Sequence, residues 1–450
     1  MQAKDRIIYA VDTPDLDKAI PMIERLTPFI GCCKIGLELI TAMLATIVSS
    51  ADVTSMMSAA LKIRKLFALL GKRFFWDGKF DDIPNTVGAA SKVVSSLGAR
   101  MFNVHASAGI EAMMAAVANR GQSEVSAVTV LTSFEENNAF LVFGAPSKAK
   151  VLQFARDAKA AGCVSVVCSP QELLLLGKQR ELMGLRKVTP GIRSADDPAD
   201  DQKRTMTPYE AIRAGADELV IGRPITQAKS PEEAAQRIAE QIRLGLQDRF
   251  HAAMFDLKKI QFGAFKLKLH ELHPEKPLSP IYLNIRDLPE WMYVLAGDIL
   301  HDLIVQEGID DFDYIIGIPK AGEPIGRALA KAVGKPFLRI EKVEAAGSRK
   351  ITSTILDPFE KGKRVLLVDD LITHAETKLE AIASVEANDL KVTATVVIYD
   401  REQGGLKELN AAGRKTYAVA PLSETLDFFV REKKIPAAKK DEVMAYIAAN

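Results

Sequence analysis

Asp77, Lys79 and Asp82 put two carboxylates and an ammonium into one short run, FWDGKFDDIPNT (residues 75–86), directly after an apolar, strand-like segment. On an extended chain, residues two apart point to the same side, so Asp77 and Lys79 share a face. If that face looks into a barrel, charges of both signs are held where water is scarce. Burial disfavours an isolated charge, so such a group stays mutually paired, and its proton affinities are set far from solution values. The alternative reading of the window is a strand end followed by a solvated acidic turn.

The elements around this run alternate β-rich segments with helical periodicity from residue 1 to about 245, the pattern of βα units on a parallel sheet. Strands are expected at residues 6–11, 32–36, 73–76, 101–104, 125–131, 164–168, 187–189 and 219–221. Eight such units fit a closed (β/α)8 TIM barrel better than an open sheet, and barrels of this kind gather their chemistry at the C-terminal strand ends. Asp12 ends the first expected strand, Lys34 lies in the second and Asp77 ends the third. Residues 39–70 are long for one connection and read as two amphipathic or buried helices, the first a candidate lid or interface element.

Two stretches suit phosphate. TPGIRS (residues 189–194) and VIGRPIT (residues 220–226) each place a glycine after a strand and follow it with an arginine. Exposed backbone N–H groups and a guanidinium make an anion grip at the ends of strands seven and eight. Between them, SADDPADDQKRTM (residues 194–206) is polar and poor in strand formers, and reads as a mobile loop or a plain surface loop.

Composition narrows the class. The 450 residues suffice for two to four domains, and 48% hydrophobic with 26% charged residues describes an ordinary globular chain. A net charge of +1 gives no global pull toward nucleic acid or an anionic membrane. Cys32, Cys33, Cys163 and Cys168 read as core thiols of a reducing compartment, since they form neither a disulfide framework nor a zinc site. The six histidines lack ligand spacing. With no signal-type stretch and no spanning run, a cytoplasmic protein is expected.

Asp12, Lys34, the DGKFDDIPNT run, VTVLTS, TPGIR, DQKR and VIGRPI agree in order and spacing, and across residues 1–245 the chain resembles the orotidine 5′-monophosphate decarboxylases. That resemblance implies a charged network of Lys34, Asp77, Lys79 and Asp82, with Asp82 and Thr86 crossing into the partner subunit's site, hence a homodimer. It further implies that Asp12 and Lys34 address the ribose hydroxyls and Thr132 the pyrimidine edge. Gln202, Arg223 and the Gly191–Arg193 and Gly222 backbone would hold the phosphate. Neither cofactor nor metal is implied for the barrel. A related class with the same barrel and D-x-K-x-x-D run uses magnesium on sugar phosphates; intact Lys34, Thr86 and the Gln202 loop argue against it.

Residues 246–259 read as a helical connection, and residues 260–450 as a second α/β domain. IIGIPKAGEPIGRALA (residues 315–330) and RVLLVDDLITHAETKLEAI (residues 364–382) each run strand, turn, helix. Paired acids before a helix N-terminus suit ribose hydroxyls and Mg2+, with the turn amides receiving phosphate, or else merely cap the helix. VLLVDDLIT is similar to the phosphoribosyl-diphosphate signature of type I phosphoribosyltransferases, and FGAFKLK, SPIYLNIR and VVIYDRE resemble the orotate-specific members. The two halves together are similar to UMP synthases with the decarboxylase first. Lys268 and Arg401 would then contact orotate, and Asp369, Asp370 and Thr373 the phosphoribosyl group, with Mg2+ at the acid pair only together with phosphoribosyl diphosphate.

Departures from that pattern point one way. The family's catalytic loop R-K-x-x-K-x-H-G is here RIEKVEAAG, starting at Arg339: Ile340, Val343 and Ala345 stand at the lysine and histidine positions, and only Lys342 could partly substitute. Lys320-Ala321 replaces the usual tyrosine-containing pair, and Glu376 and Ala375 occupy the phosphate turn, where a carboxylate repels phosphate. A catalytically impaired transferase-like domain is therefore expected. The alternatives are a working bifunctional enzyme, in which Lys342, Arg349 or Lys350 replaces the missing cations, and a non-catalytic ligand-binding or assembly module. If both domains pair, tetramers or larger assemblies follow.

Overall fold

The computed structural model describes residues 1–193, 205–266, 270, 275–345 and 348–449. It divides into two compact units, Ala3–Gly245 and Leu246–Asn450, the second joined by Met1–Gln2.

The first unit is a closed barrel of eight parallel strands: β1 (Ile7–Val11), β2 (Cys32–Gly36), β3 (Phe74–Phe80), β4 (Met101–His105), β5 (Glu124–Val128), β6 (Ser165–Val167), β7 (Arg186–Thr189) and β8 (Glu218–Ile221). Pairing of Ile7 with Leu219 and Tyr9 with Ile221 closes the ring. The strands are apolar on both faces because helices cover the outside while side chains fill the inside. Ile8, Cys32, Phe75, Met101 and Val188 meet in one such interior cluster. All four cysteines are buried free thiols, and burial pushes Cys32 and Cys163 up to about 12.

Two strands differ from expectation. β5 stops at Val128, which leaves residues 129–132 as a loop at the barrel mouth. β3 continues to Phe80, so Asp77 and Lys79 lie within it. Its pairing with β4 shifts register between Trp76 and Phe80, and Lys79 takes a left-handed φ of 50°. A bulge, rather than simple alternation, therefore aims the lysine. Residues 39–70 form two helices, Leu37–Val48 and Val53–Leu70, the second started by a capping box between Asp52 and Ser55. The first buries Leu39 and Met43 and the second Ala59, Leu66 and Leu70, while Leu44, Val48, Met57 and Leu61 are exposed, so the fully buried alternative does not hold.

At the opposite, N-terminal mouth the first residues of several strands form a charge cluster. Glu218 is fully buried and pairs with Arg100 and, at 3.3 Å, with Arg186, which also pairs with Glu124.

The second unit is built on a five-stranded parallel sheet in the order β12-β11-β15-β16-β17: β11 (Tyr314–Gly317), β12 (Phe337–Leu338), β15 (Arg364–Ile372), β16 (Lys391–Asp400) and β17 (Thr416–Pro421). Two antiparallel hairpins accompany it, β9 (Ile260–Phe265) with β10 (Ser279–Leu283) and β13 (Ile340–Ala345) with β14 (Ser348–Ile355). Val365, Leu367 and Val397 of the sheet pack with Ile382 and Val385 of helix Glu376–Glu386. Strand order reverses between β11 and β15, and in open α/β sheets the crevice beyond the strand ends at such a switch takes the ligand. A helix spans Pro231–Asp256. In its last part, His251 Nδ1 lies 2.9 Å from the Tyr399 hydroxyl, and Phe255 packs on Phe429.

Candidate active site

The buried carboxylate of Asp77 is the hub of the barrel site. Its Oδ1 accepts from the Lys79 ammonium at 2.8 Å, and its Oδ2 lies 3.1 Å from the Lys34 ammonium. Lys34 also reaches Asp12 Oδ1 at 3.2 Å. Alternating signs along Asp12, Lys34, Asp77 and Lys79 make the burial tolerable. Burial alone would raise the Asp77 carboxyl, yet the Lys34 and Lys79 ammoniums outweigh it and hold the group below the usual carboxylate range. Burial likewise works against the charge of Lys34, but Asp77 and Asp12 prevail and raise its affinity for the proton.

Asn103, on β4, belongs to none of the sequence motifs. Its Oδ1 accepts the Lys79 backbone N–H at 2.7 Å, and its Nδ2 donates to Asp77 Oδ1 at 2.6 Å. One amide thus supports the left-handed turn of Lys79 and fixes the carboxylate that Lys79 meets. The only trace in the sequence is a polar residue inside an otherwise apolar strand, MFNVH.

Asp12, Lys34, Asp77, Lys79, Thr132, Gly191, Arg193, Gly222 and Arg223 line one cavity of about 250 Å³, with Phe75, Val128, Val167 and Val220 as its apolar wall. Space is tight where backbone meets charge: a Cβ at Gly36 would come within 2.8 Å of the Lys34 ammonium, and one at Gly222 within 3.1 Å of Asp12 Oδ2. Gly191 adopts φ 82°, and Gly222 opens the short helix Arg223–Thr226. The Arg193 N–H donates to the Met206 carbonyl at 3.0 Å, pinning together the two ends of the intervening segment. Gln202 lies outside the described residues.

Asp82 and Thr86 do not join this cavity within one chain. Both are exposed, and Asp82 Oδ1 accepts its neighbour Ile83's N–H at 2.7 Å. The expected four-membered network is thus, in one chain, Lys34, Asp77 and Lys79, with Asp12 added.

In the second unit, Asp369 and Asp370 lie near the end of β15 and Thr373 just beyond it. Lys320 follows a cis peptide after Pro319 and precedes helix Gly322–Val333. Arg339 is held in a fork by Asp357, at 2.7 and 3.0 Å. Arg401 follows β16; its Nε is buried without a hydrogen-bond partner among the described residues, and burial lowers its pKa. Lys268 and the side chain of Lys342 lie outside the described residues.

The acid pair has a partner that its own motif does not reveal. The buried Lys378 ammonium donates to Asp369 Oδ2 at 2.7 Å and to the Leu371 carbonyl at 2.6 Å. Lys378 shares a helix face with Ala381, Ile382 and Val385, all buried, so a lysine on an apolar stripe was the available signal. Asp369 Oδ1 accepts the Asp370 N–H, and Asp370 Oδ1 the Leu371 N–H, both at 2.9 Å. Burial, reinforced by Asp369, pushes the Asp370 carboxyl up to about 7. Mg2+ demands near-octahedral oxygen ligation. One or two carboxylates with substrate phosphates would be enough for it, but here the Asp369 carboxylate already holds the buried Lys378 ammonium, which repels a divalent ion at short range, so the residues present do not fit the ion.

Comparison with known proteins agrees with both halves. Residues 5–238 match the sequence model of the "Orotidine 5'-phosphate decarboxylase / HUMPS family", and residues 296–415 that of the phosphoribosyl transferase domain. An orotidine 5'-phosphate decarboxylase of Heliobacterium modesticaldum is 40% identical over 262 residues, covering 55% of this chain and 100% of its own. One of Moorella thermoacetica is 39% identical over 257 residues, covering 54% and 94%. The structure of Leishmania donovani UMP synthase aligns over 99% of this chain and 97% of its own, with a TM-score of 0.54 and 20% identity, a likeness of fold.

Proposed function

The chain belongs to the orotidine 5'-phosphate decarboxylase / HUMPS family, and on that premise we propose that its barrel converts orotidine 5′-monophosphate to UMP and CO2 in pyrimidine biosynthesis, using side chains alone. The observation that carries this is the Lys79 ammonium, 2.8 Å from a buried carboxylate, both lining a cavity of about 250 Å³. The substrate carboxylate would lie beside Asp77, where like charges crowd. Its bond to the ring breaks, CO2 leaves, and the electron pair stays on the ring carbon. Lys79 stabilises that carbanion and delivers the proton. Asp12 and Lys34 hold the ribose hydroxyls, Thr132 meets the pyrimidine edge, and Gly191, Arg193, Gln202, Gly222 and Arg223 grip the phosphate. Binding energy from this remote end supports the reacting end.

Asp82 and Thr86 complete the site of a second copy. In support, they sit beside exposed Ile83, and Val93 and Met114 on the neighbouring helices Pro84–Ser96 and Ile110–Ala118 are exposed as well. Purified protein should consume orotidine 5′-monophosphate at a rate unchanged by a chelator. Dependence on added divalent metal would contradict the reading.

The second unit is an impaired orotate phosphoribosyltransferase. In support, Ile340, Val343 and Ala345 supply no charge to a diphosphate leaving group, and Arg339 is committed to Asp357. Glu376 stands exposed in the first turn of its helix, where it competes with an incoming phosphate for the positive end. Orotate with phosphoribosyl diphosphate and Mg2+ should release no diphosphate; release at a rate matching decarboxylation would establish the bifunctional alternative.

A further inference from the structure

We propose that Lys378 is the resident cation of the second unit's crevice and shuts divalent metal out of the Asp369–Asp370 pair. This rests on the impaired-transferase reading and supplies its physical cause.

Lys378 is the third residue of helix Glu376–Glu386, and its ammonium is turned inward onto the end of β15. The pair is desolvated on both sides, with side-chain exposures of 6% for Lys378 and 8% for Asp369. The ammonium has two acceptors, Asp369 Oδ2 and the Leu371 carbonyl, while the other oxygen of Asp369 takes the Asp370 N–H. A divalent ion drawn to Asp369 must either share its carboxylate with the buried ammonium, which repels the ion at short range, or displace that ammonium and strand it unpaired. Both routes are unfavourable while Lys378 stays in place. The acid pair that fits ribose and metal by its sequence is, in this fold, one half of an internal ion pair.

The test uses the full chain and Mn2+ as a paramagnetic stand-in for Mg2+, with free Mn2+ read by electron paramagnetic resonance in the presence of phosphoribosyl diphosphate. Wild-type protein should leave the free-Mn2+ signal where phosphoribosyl diphosphate alone sets it. Lys378→Leu, and Lys378→Met as a second apolar variant, should remove signal toward one Mn2+ per chain. Cooperative melting of the second unit and a wild-type far-ultraviolet circular dichroism spectrum certify that each variant is folded. Binding of Mn2+ by the wild-type chain overturns the proposal, and so does absence of binding by both folded variants. If neither variant folds, the wild-type titration decides. Diphosphate release is scored separately: turnover without Mn2+ binding contradicts the impaired reading and leaves the role of Lys378 intact.

Discussion

Asn103 donates to the same oxygen of Asp77 that receives the Lys79 ammonium, and it accepts the backbone N–H of that lysine. A neutral side chain on β4 therefore sets the distance between the two charged groups on β3. Asn103→Ala leaves both charges in place but removes the brace. Turnover should fall by about tenfold to a hundredfold while KM moves little, by analogy with outer-shell partners elsewhere. Asn103→Asp adds a like charge beside Asp77 and should do worse. A loss confined to KM would show that Asn103 has no positioning role.

If Asp82 works in the partner's cavity, each site takes Lys79 from one chain and Asp82 from the other. Lys79→Ala and Asp82→Ala proteins should each be inactive alone. Mixed and re-equilibrated, half the dimers are hybrids with one intact site, so activity should return to about a quarter of wild type. No recovery on mixing would place both residues in one chain's site.

The N-terminal mouth carries stability rather than chemistry. Glu218→Gln removes the buried counter-charge of Arg100 and leaves Arg186 with Glu124 alone. Breaking such a pair from one side should cost about 3 kcal/mol, lowering the melting temperature while kcat of the folded enzyme stays unchanged. An equal loss of kcat would put the cluster in communication with the site.

Asp370 gives the second unit a pH signature. Its carboxyl ordinarily titrates near 3.8 and is raised to about 7 by burial and by Asp369. A raised value in the folded state means that this group's contribution is intact below pH 4 and is lost as pH rises toward about 7. Asp370→Asn should therefore stabilise the unit, and by more at pH 8 than at pH 5 in thermal melts. A gain independent of pH would show that the carboxyl is not perturbed.

Much of this was legible in the chain. Periodicity marked all eight barrel strands because buried parallel strands are short, apolar and evenly spaced. Spacing brought Asp12, Lys34, Asp77 and Lys79 to one mouth. Alternation could not reveal that Lys79 reaches Asp77 through a left-handed bulge, since that conformation is fixed by the register with β4 and by Asn103. Likewise VLLVDD announces two acids after a strand, but whether they face a ligand depends on Lys378, nine residues beyond Asp369 and brought back by the helix. Long-range partners of polar groups are what local pattern does not carry.

The central claim is that the Lys79 ammonium bears the charge and proton of decarboxylation. Lys79→Ala, assayed by conversion of orotidine 5′-monophosphate to UMP, tests it directly. Product formation should drop by at least about 10⁴-fold, given the combined loss of charge stabilisation and proton donation, with the barrel still folded. UMP appearing at the wild-type rate would contradict it.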